Sequence, residues 1–136
     1  MTYLVDANIL CEPTTPQQEK RVIEWLRQQE RDLVVDPIIL GEIRFGIHLL
    51  PPGSRRHRLE QWFEEGIRRI HCVPWEVSNG LRWAKLLADM RAVGRAMPVK
   101  DSLIAATALV HGLVVATRTA RDFTHAGVKV VNPFEA

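Results

Sequence analysis

Residues 101–117 read DSLIAATALVHGLVVAT. From Ser102 to Thr117 no side chain carries a formal charge at neutral pH, which raises the question of a membrane span. Such a span needs about 20 apolar residues, and this run is shorter and is broken by His111 and Gly112. It reads instead as a helix ending at His111, a glycine stop, and a buried strand over 113–116. Asp101 then falls in the first turn of that helix, where the helix terminus favours an ionised carboxylate.

The same alternation extends outward in both directions. TYLV (2–5) is a short buried strand. Thr15-Pro16-Gln17-Gln18 has the form of a capping box with proline at the first helical position, predicting a helix through about Gln29 with Val22, Ile23 and Leu26 as its apolar stripe. DLVV (32–35) is a second strand, and Asp36-Pro37 starts a helix carrying Ile38, Ile39, Ile43, Ile47 and Leu50 until Pro51-Pro52-Gly53 ends it.

A polar helix over about 55–66, a short strand at 70–73 and an amphipathic helix over 76–93 follow, the last with Leu81, Ala84, Leu87 and Ala88 at helical spacing. Gly94 stops that helix, Pro98 reopens helix, and VKVV (128–131) forms a last strand before Asn132-Pro133. Parallel strands need long connections that pack as helices, so this order predicts an α/β fold. The expected architecture is one domain over residues 1–136, with a central parallel sheet of about four to five strands and helices on both faces. In open sheets of this kind, sites form beyond the carboxyl ends of the strands.

A chain of 136 residues buries a continuous core without disulfide staples, and Cys11 and Cys72, which have no metal-ligand spacing, read as ordinary buried thiols of a reducing compartment. The N-terminus has no basic leader and Asp6 interrupts its apolar run, so the cytoplasm is the expected location, with no membrane partner. The net charge of +2 does not by itself imply nucleic-acid binding. Arginines nevertheless gather at 55, 56 and 58, at 68 and 69, at 91 and 95, and at 118 and 121. Trp25 and Trp83 read as core or interface, and Trp62 as the most exposed tryptophan. The five histidines form no i, i+4 ligand pair, which argues against zinc.

Chemistry concentrates in four acids. Asp6 sits just past the first strand, Glu42 lies one turn into the helix after the second, Asp101 opens an apolar helix, and Asp122 follows the strand at 113–116 by a short turn. Each has a structural use as well: Asp101 as a helix cap, Asp6 and Asp122 as turn residues. Glu42, between Leu40 and Ile43, has fewer. Carboxylates gathered at one end of a sheet repel one another unless a cation lies between them. Hard oxygen ligands suit Mg2+ or Mn2+, and one or two such ions would orient a water against a phosphodiester. Phosphodiester hydrolysis is therefore the implied reaction.

VDANIL (5–10), PIILGEIRFGIHLLP (37–51), KDSLIAATALVHGLVVATRTARDF (100–123) and VKVVNPF (128–134) resemble, in order and spacing, the PIN-domain ribonucleases of the VapC toxin family, including its FitB-like branch. The resemblance spans nearly the whole chain and is weakest over 55–75. It implies an endoribonuclease toxin that inhibits translation, usually a homodimer, neutralised by a small cognate antitoxin whose tail enters the active-site groove. Asp6, Glu42 and Asp101 would hold the metal, with Asp122 or Thr119 at the fourth position. Asn8 would hydrogen-bond within the site, and Arg118 and Arg121 would meet RNA phosphates. The chain departs from the family pattern at Ala7, where a hydroxyl residue commonly follows the first acid, and at Thr119, where Asn or Asp is frequent.

Two other readings compete. A phosphatase with an aspartyl nucleophile needs a second acid two residues after the first, and Asn8 occupies that place. A catalytically weak binding or regulatory module of the same fold would keep the acidic pocket and act through protein contact.

Overall fold

The computed structural model describes residues 1–135. Five short strands, β1 (Tyr3–Val5), β2 (Leu33–Val35), β3 (His71–Cys72), β4 (Val114–Ala116) and β5 (Lys129–Val131), form one sheet in the order β3-β2-β1-β4-β5. Every pairing is parallel, with Val5 opposite Ala116 and Leu4 opposite both Val34 and Val115 in register. The chain therefore builds outward from β1 on one side, then crosses back to place β4 on the other. That reversal leaves a crevice at the carboxyl ends of β1 and β4, where open α/β sheets place their sites.

Six helices make the connections: α1 (Ala7–Leu10), α2 (Lys20–Gln28), α3 (Pro37–His48), α4 (Ser54–Glu65), α5 (Val77–Ala92) and α6 (Val99–His111). The central strands are apolar on both faces, and Leu4, Val5, Val35, Val115 and Ala116 are fully buried, as a sheet covered on both sides requires. In α6, Ile104, Ala105, Ala106 and Ala108 are buried. The three alanines let this helix lie close to its neighbours, the sheet on one side and α5, its principal helical neighbour, on the other. Gly112 ends α6 at φ 64°, ψ 40°, a left-handed conformation that costs a residue with a Cβ, and so turns the chain directly into β4.

Asp36 caps α3 as its sequence suggests, its Oδ1 accepting from the Ile39 amide at 2.9 Å, while Pro37 fills the first helical position. Two expectations need correction. Thr15-Pro16-Gln17-Gln18 does not cap α2, which begins at Lys20. The polar side chains there are spent on the preceding turn instead, Thr15 Oγ1 donating to the Glu12 carbonyl at 2.8 Å and Gln18 Nε2 to the Pro13 carbonyl at 2.8 Å. The amide of Glu19 is satisfied by the buried Glu12 carboxylate at 2.7 Å.

The second correction concerns α5. Leu81 is 69% exposed, and Ala84, Leu87 and Ala88 also face outward. The inward stripe is Asn79, Leu86 and Met90. Asn79 is buried because it donates to Thr107 Oγ1 at 3.1 Å, which in turn donates to Asp36 Oδ2 at 2.7 Å, so a polar chain links α5, α6 and the cap of α3. Apolar periodicity pointed to the wrong face since a satisfied amide took the inward position. Trp62 is likewise half-buried against the core, and Cys11 and Cys72 are half-buried free thiols. Among the described residues no helix is long and apolar enough to cross a membrane.

Candidate active site

Asp6 leaves β1 and caps α1, and only 1% of it is exposed. Its Oδ1 accepts from the Ala7 amide at 2.8 Å, and its Oδ2 from Thr117 Oγ1 at 2.7 Å. Thr117 follows β4 directly, and the Val5–Ala116 pairing brings it beside Asp6. The hydroxyl missing at position 7 is thus supplied from the neighbouring strand. Sequence reading overlooked Thr117; its signal was the register, a threonine one residue past a strand that pairs with β1.

Asn8 and Thr119 complete the support. Asn8 Nδ2 lies 3.4 Å from Thr117 Oγ1, and its Oδ1 accepts from the Arg118 amide at 3.1 Å. Thr119 Oγ1 is 3.2 Å from Thr117 Oγ1, and the Thr119 amide donates to that same oxygen at 3.2 Å. Arg118 stacks its guanidinium 4.3 Å above the Phe134 ring, while its carbonyl accepts from Asn132 Nδ2 at 3.3 Å. An exposed cation is thereby held at the rim of the crevice. Arg121 is exposed one turn further on, in the tight helical turn Ala120–Phe123 that buried Phe123 anchors.

Asp101 is buried in the first turn of α6. The helix has Pro98 at its N-cap with no side-chain cap bond, so Asp101 does not occupy the capping position. Burial pushes its pKa up to about 6, and the charges of Asp6, Asp122 and Glu42 push the same way while Lys100 opposes them. Glu42, reaching in from α3, is raised chiefly by burial and then by Asp6, against the hydrogen bond it receives from Lys100. Asp101 thus feels the other three acids across the carboxyl end of the sheet, and Glu42 feels Asp6. A further acid, Asp36, is fully buried there and is raised by burial, with Asp6 adding to it. Its helix-capping signal concealed its nearness to the cluster.

Lys100 was also overlooked. Its Nζ donates to Glu42 Oε2, whereas Glu42 Oε1 is buried without a hydrogen-bond partner. No three His, Cys, Asp or Glu side chains among the described residues already close around a single point as metal ligands. The donor set nevertheless fits a hard divalent cation: Asp101 and Glu42 are raised in pKa chiefly by burial and further by neighbouring carboxylates, and one buried carboxylate oxygen is unspent. A groove of about 330 Å3 lined by Ala7, Asn8, Cys11, Glu42, Ile43, Gly46 and Lys100 opens beside them. Cys11 is pushed up to about 11 by its burial and by Glu42 and Asp6, so its thiol stays protonated and is no nucleophile.

This fold and site define a class. The PIN domain family matches residues 3–129, and the chain belongs to it. Its relatives within that family include proteins named VapC ribonucleases and the toxin FitB, and the chain is a member of that group. It is 34% identical to the plasmid stability protein StbB of Pseudomonas syringae pathovar tomato, over 98% of this chain and 99% of that one. It is 32% identical to the toxin FitB of Neisseria gonorrhoeae over 96% and 97%, and 29% identical to the VapC ribonuclease Y4jK of Sinorhizobium fredii over 97% of each. The crystal structure of FitAcB from Neisseria gonorrhoeae superposes with a TM-score of 0.91 at 32% identity, covering 99% of this chain and all of that one.

Proposed function

We propose that this protein is a divalent-metal-dependent endoribonuclease, the toxin of a type II toxin–antitoxin pair, which hydrolyses RNA phosphodiester bonds and thereby inhibits translation. The observation that carries this reading is the group Asp6, Glu42, Asp101 and Asp122 at the crevice between β1 and β4, where burial and the neighbouring carboxylates together raise Asp101 and Glu42. Asp6, Glu42 and Asp101 would hold Mg2+ or Mn2+, with Asp122 at the margin. When bound, the ion would supply the charge that stabilises the phosphoryl transition state and eases deprotonation of the attacking water.

The chain's own residues do the rest. Thr117 and the Ala7 amide fix the two oxygens of Asp6, so its carboxylate is already oriented when a cation arrives. Asn8 holds the loop that carries Arg118 and leaves that guanidinium at the rim, where it meets a phosphate and offsets the repulsion between RNA and the acids. Arg121 extends the same rim.

A small cognate antitoxin is the expected partner, since FitB, similar along its whole length, is named a toxin. The outward stripe of Val77, Leu81, Ala84 and Ala88 on α5 supports a homodimer, because a sheet protein of this size seldom leaves such a run to water.

Purified protein incubated with a structured RNA is expected to cut it with Mn2+ or Mg2+ and to stop with chelator. Asp101→Asn should lower the rate by about 100-fold or more while leaving the fold intact. Equal cleavage by the two proteins would defeat the assignment of the site, and absence of cleavage from all RNAs would favour the binding-module reading. Sedimentation at monomer mass would remove the homodimer from it.

A further inference from the structure

We infer that Lys100 is a tethered cation that competes with the metal ion for Glu42, and so sets how readily the site loads. The inference rests on the metal-dependent reading above and adds to it a residue that controls loading.

The two oxygens of Glu42 differ. Oε2 receives the Lys100 ammonium, whereas Oε1 is buried without a donor and the carboxylate lies against that of Asp6. A half-buried carboxylate with one oxygen out of water and a second carboxylate beside it is favoured by the approach of another positive partner. Lys100 itself stands next to Asp101 in sequence, and its ammonium feels Glu42, Asp6 and Asp101 together. Its one hydrogen bond is to Glu42, so that acid is the partner it holds directly.

Its tether is long and partly free. The Lys100 side chain is 44% exposed, against 27% for Glu42, so the ammonium can swing into water without unfolding anything. Its main chain lies in the first turn of α6, fixed by the packing of that helix. The arrangement is thus a movable charge on a rigid base. While Lys100 holds Glu42, that acid is aimed at the ammonium, and the described acids do not close into a ligand set. A divalent ion near Asp6 and Asp101 gains Glu42 only when the lysine releases it. The freed ammonium then remains within reach of the groove it lines, placed to contact an RNA phosphate.

The experiment is Mn2+ binding to the full chain, followed by electron paramagnetic resonance of the free ion, without RNA. Lys100→Met should tighten the Kd for Mn2+ by about tenfold, the size expected from releasing one partly buried ion pair. Lys100→Arg, which keeps the charge but clamps a carboxylate more firmly, should weaken or preserve the affinity. In a Glu42→Gln background, Lys100→Met should change the Kd by less than about twofold, because the pair it breaks no longer exists.

An unchanged or weaker Kd in Lys100→Met overturns the inference, as does a tenfold gain that persists with Gln at position 42, which would make the effect a general field. Melting of the metal-free variants confirms that each is folded. If neither wild type nor Lys100→Met binds Mn2+ at millimolar concentration, the metal-dependent reading falls with it. If both bind equally and cleave RNA, only the role of Lys100 falls.

Discussion

The strands β1 and β4 run side by side, and their two ends are built on opposite terms. At the amino end the Val114 amide donates to the Thr2 carbonyl at 3.1 Å, and an open cavity of about 590 Å3 is lined by Met1, Leu109, Leu113, Val114 and Val128 among others. At the carboxyl end the same pairing terminates in Asp6 and Thr117, with Asp101, Glu42 and Lys100 gathered around them. The roomier space is on the side without chemistry. Volume therefore does not locate this site; unspent charge does. The stretch between the ends, fully buried and apolar, is what permits a cluster of mutually repelling acids to persist.

The sharpest way to break this contrast is to weaken the shared middle. Ile104→Ala, in the fully buried face of α6, should destabilise the protein by about 2–5 kcal/mol in denaturant unfolding. Loss of that size with little change in Mn2+ affinity of the folded fraction would show the core and the cluster to be separable. If affinity collapses in parallel, the packing of α6 positions Asp101 directly.

A smaller effect is expected from Thr117→Val, which keeps the shape and removes the hydroxyl that holds Asp6 Oδ2 at 2.7 Å. Melting should report a loss of about 1–3 kcal/mol, since the lost bond is to a charged acceptor. Mn2+ binding should weaken several-fold, roughly within the range seen for residues that orient a metal ligand. Unaltered binding would reduce Thr117 to a strand-end residue.

The smallest expected effect is that of pH on the metal-free protein. Asp101 holds its proton up to about pH 6 in the fold, while the unfolded chain releases it near the ordinary carboxylate value of 3.8. Between those values the native state binds more protons, so stability falls as pH rises through the window and then levels. The raised pKa of Glu42 acts in the same sense. In chelator, the melting temperature should be about 2–4 °C higher at pH 5 than at pH 7.5. Asp101→Asn should flatten that difference, and a profile rising with pH would contradict the desolvated cluster. Affinity for Mn2+ should strengthen over the same interval, because binding displaces the proton.

Much of this architecture could be read from residue order alone, for local reasons. The helix–glycine–strand passage over 101–117 and the Asp36-Pro37 start are decided within a few residues, by backbone conformation and capping. The acids could be suspected because each stands beside an element end. Legibility failed where one partner came from far along the chain. Thr117 reaches Asp6 across 111 residues, and Lys100 reaches Glu42 across 58, so no window of sequence displays either pair. The inward face of α5 was missed for the same reason, since Asn79 is at home in the interior only through Thr107.

The position of β1 in the middle of the sheet has a bearing on synthesis. β1 pairs along one edge with Leu33–Val35 and waits for Val114–Ala116, far along the chain, before its other edge is covered. Asp6 gains its threonine partner at the same moment. During synthesis Asp6 and Glu42 are therefore made well before Asp101, Thr117 and Asp122 can join them. Under the proposed function, cleavage of RNA would have to wait until α6 and β4 have both been made.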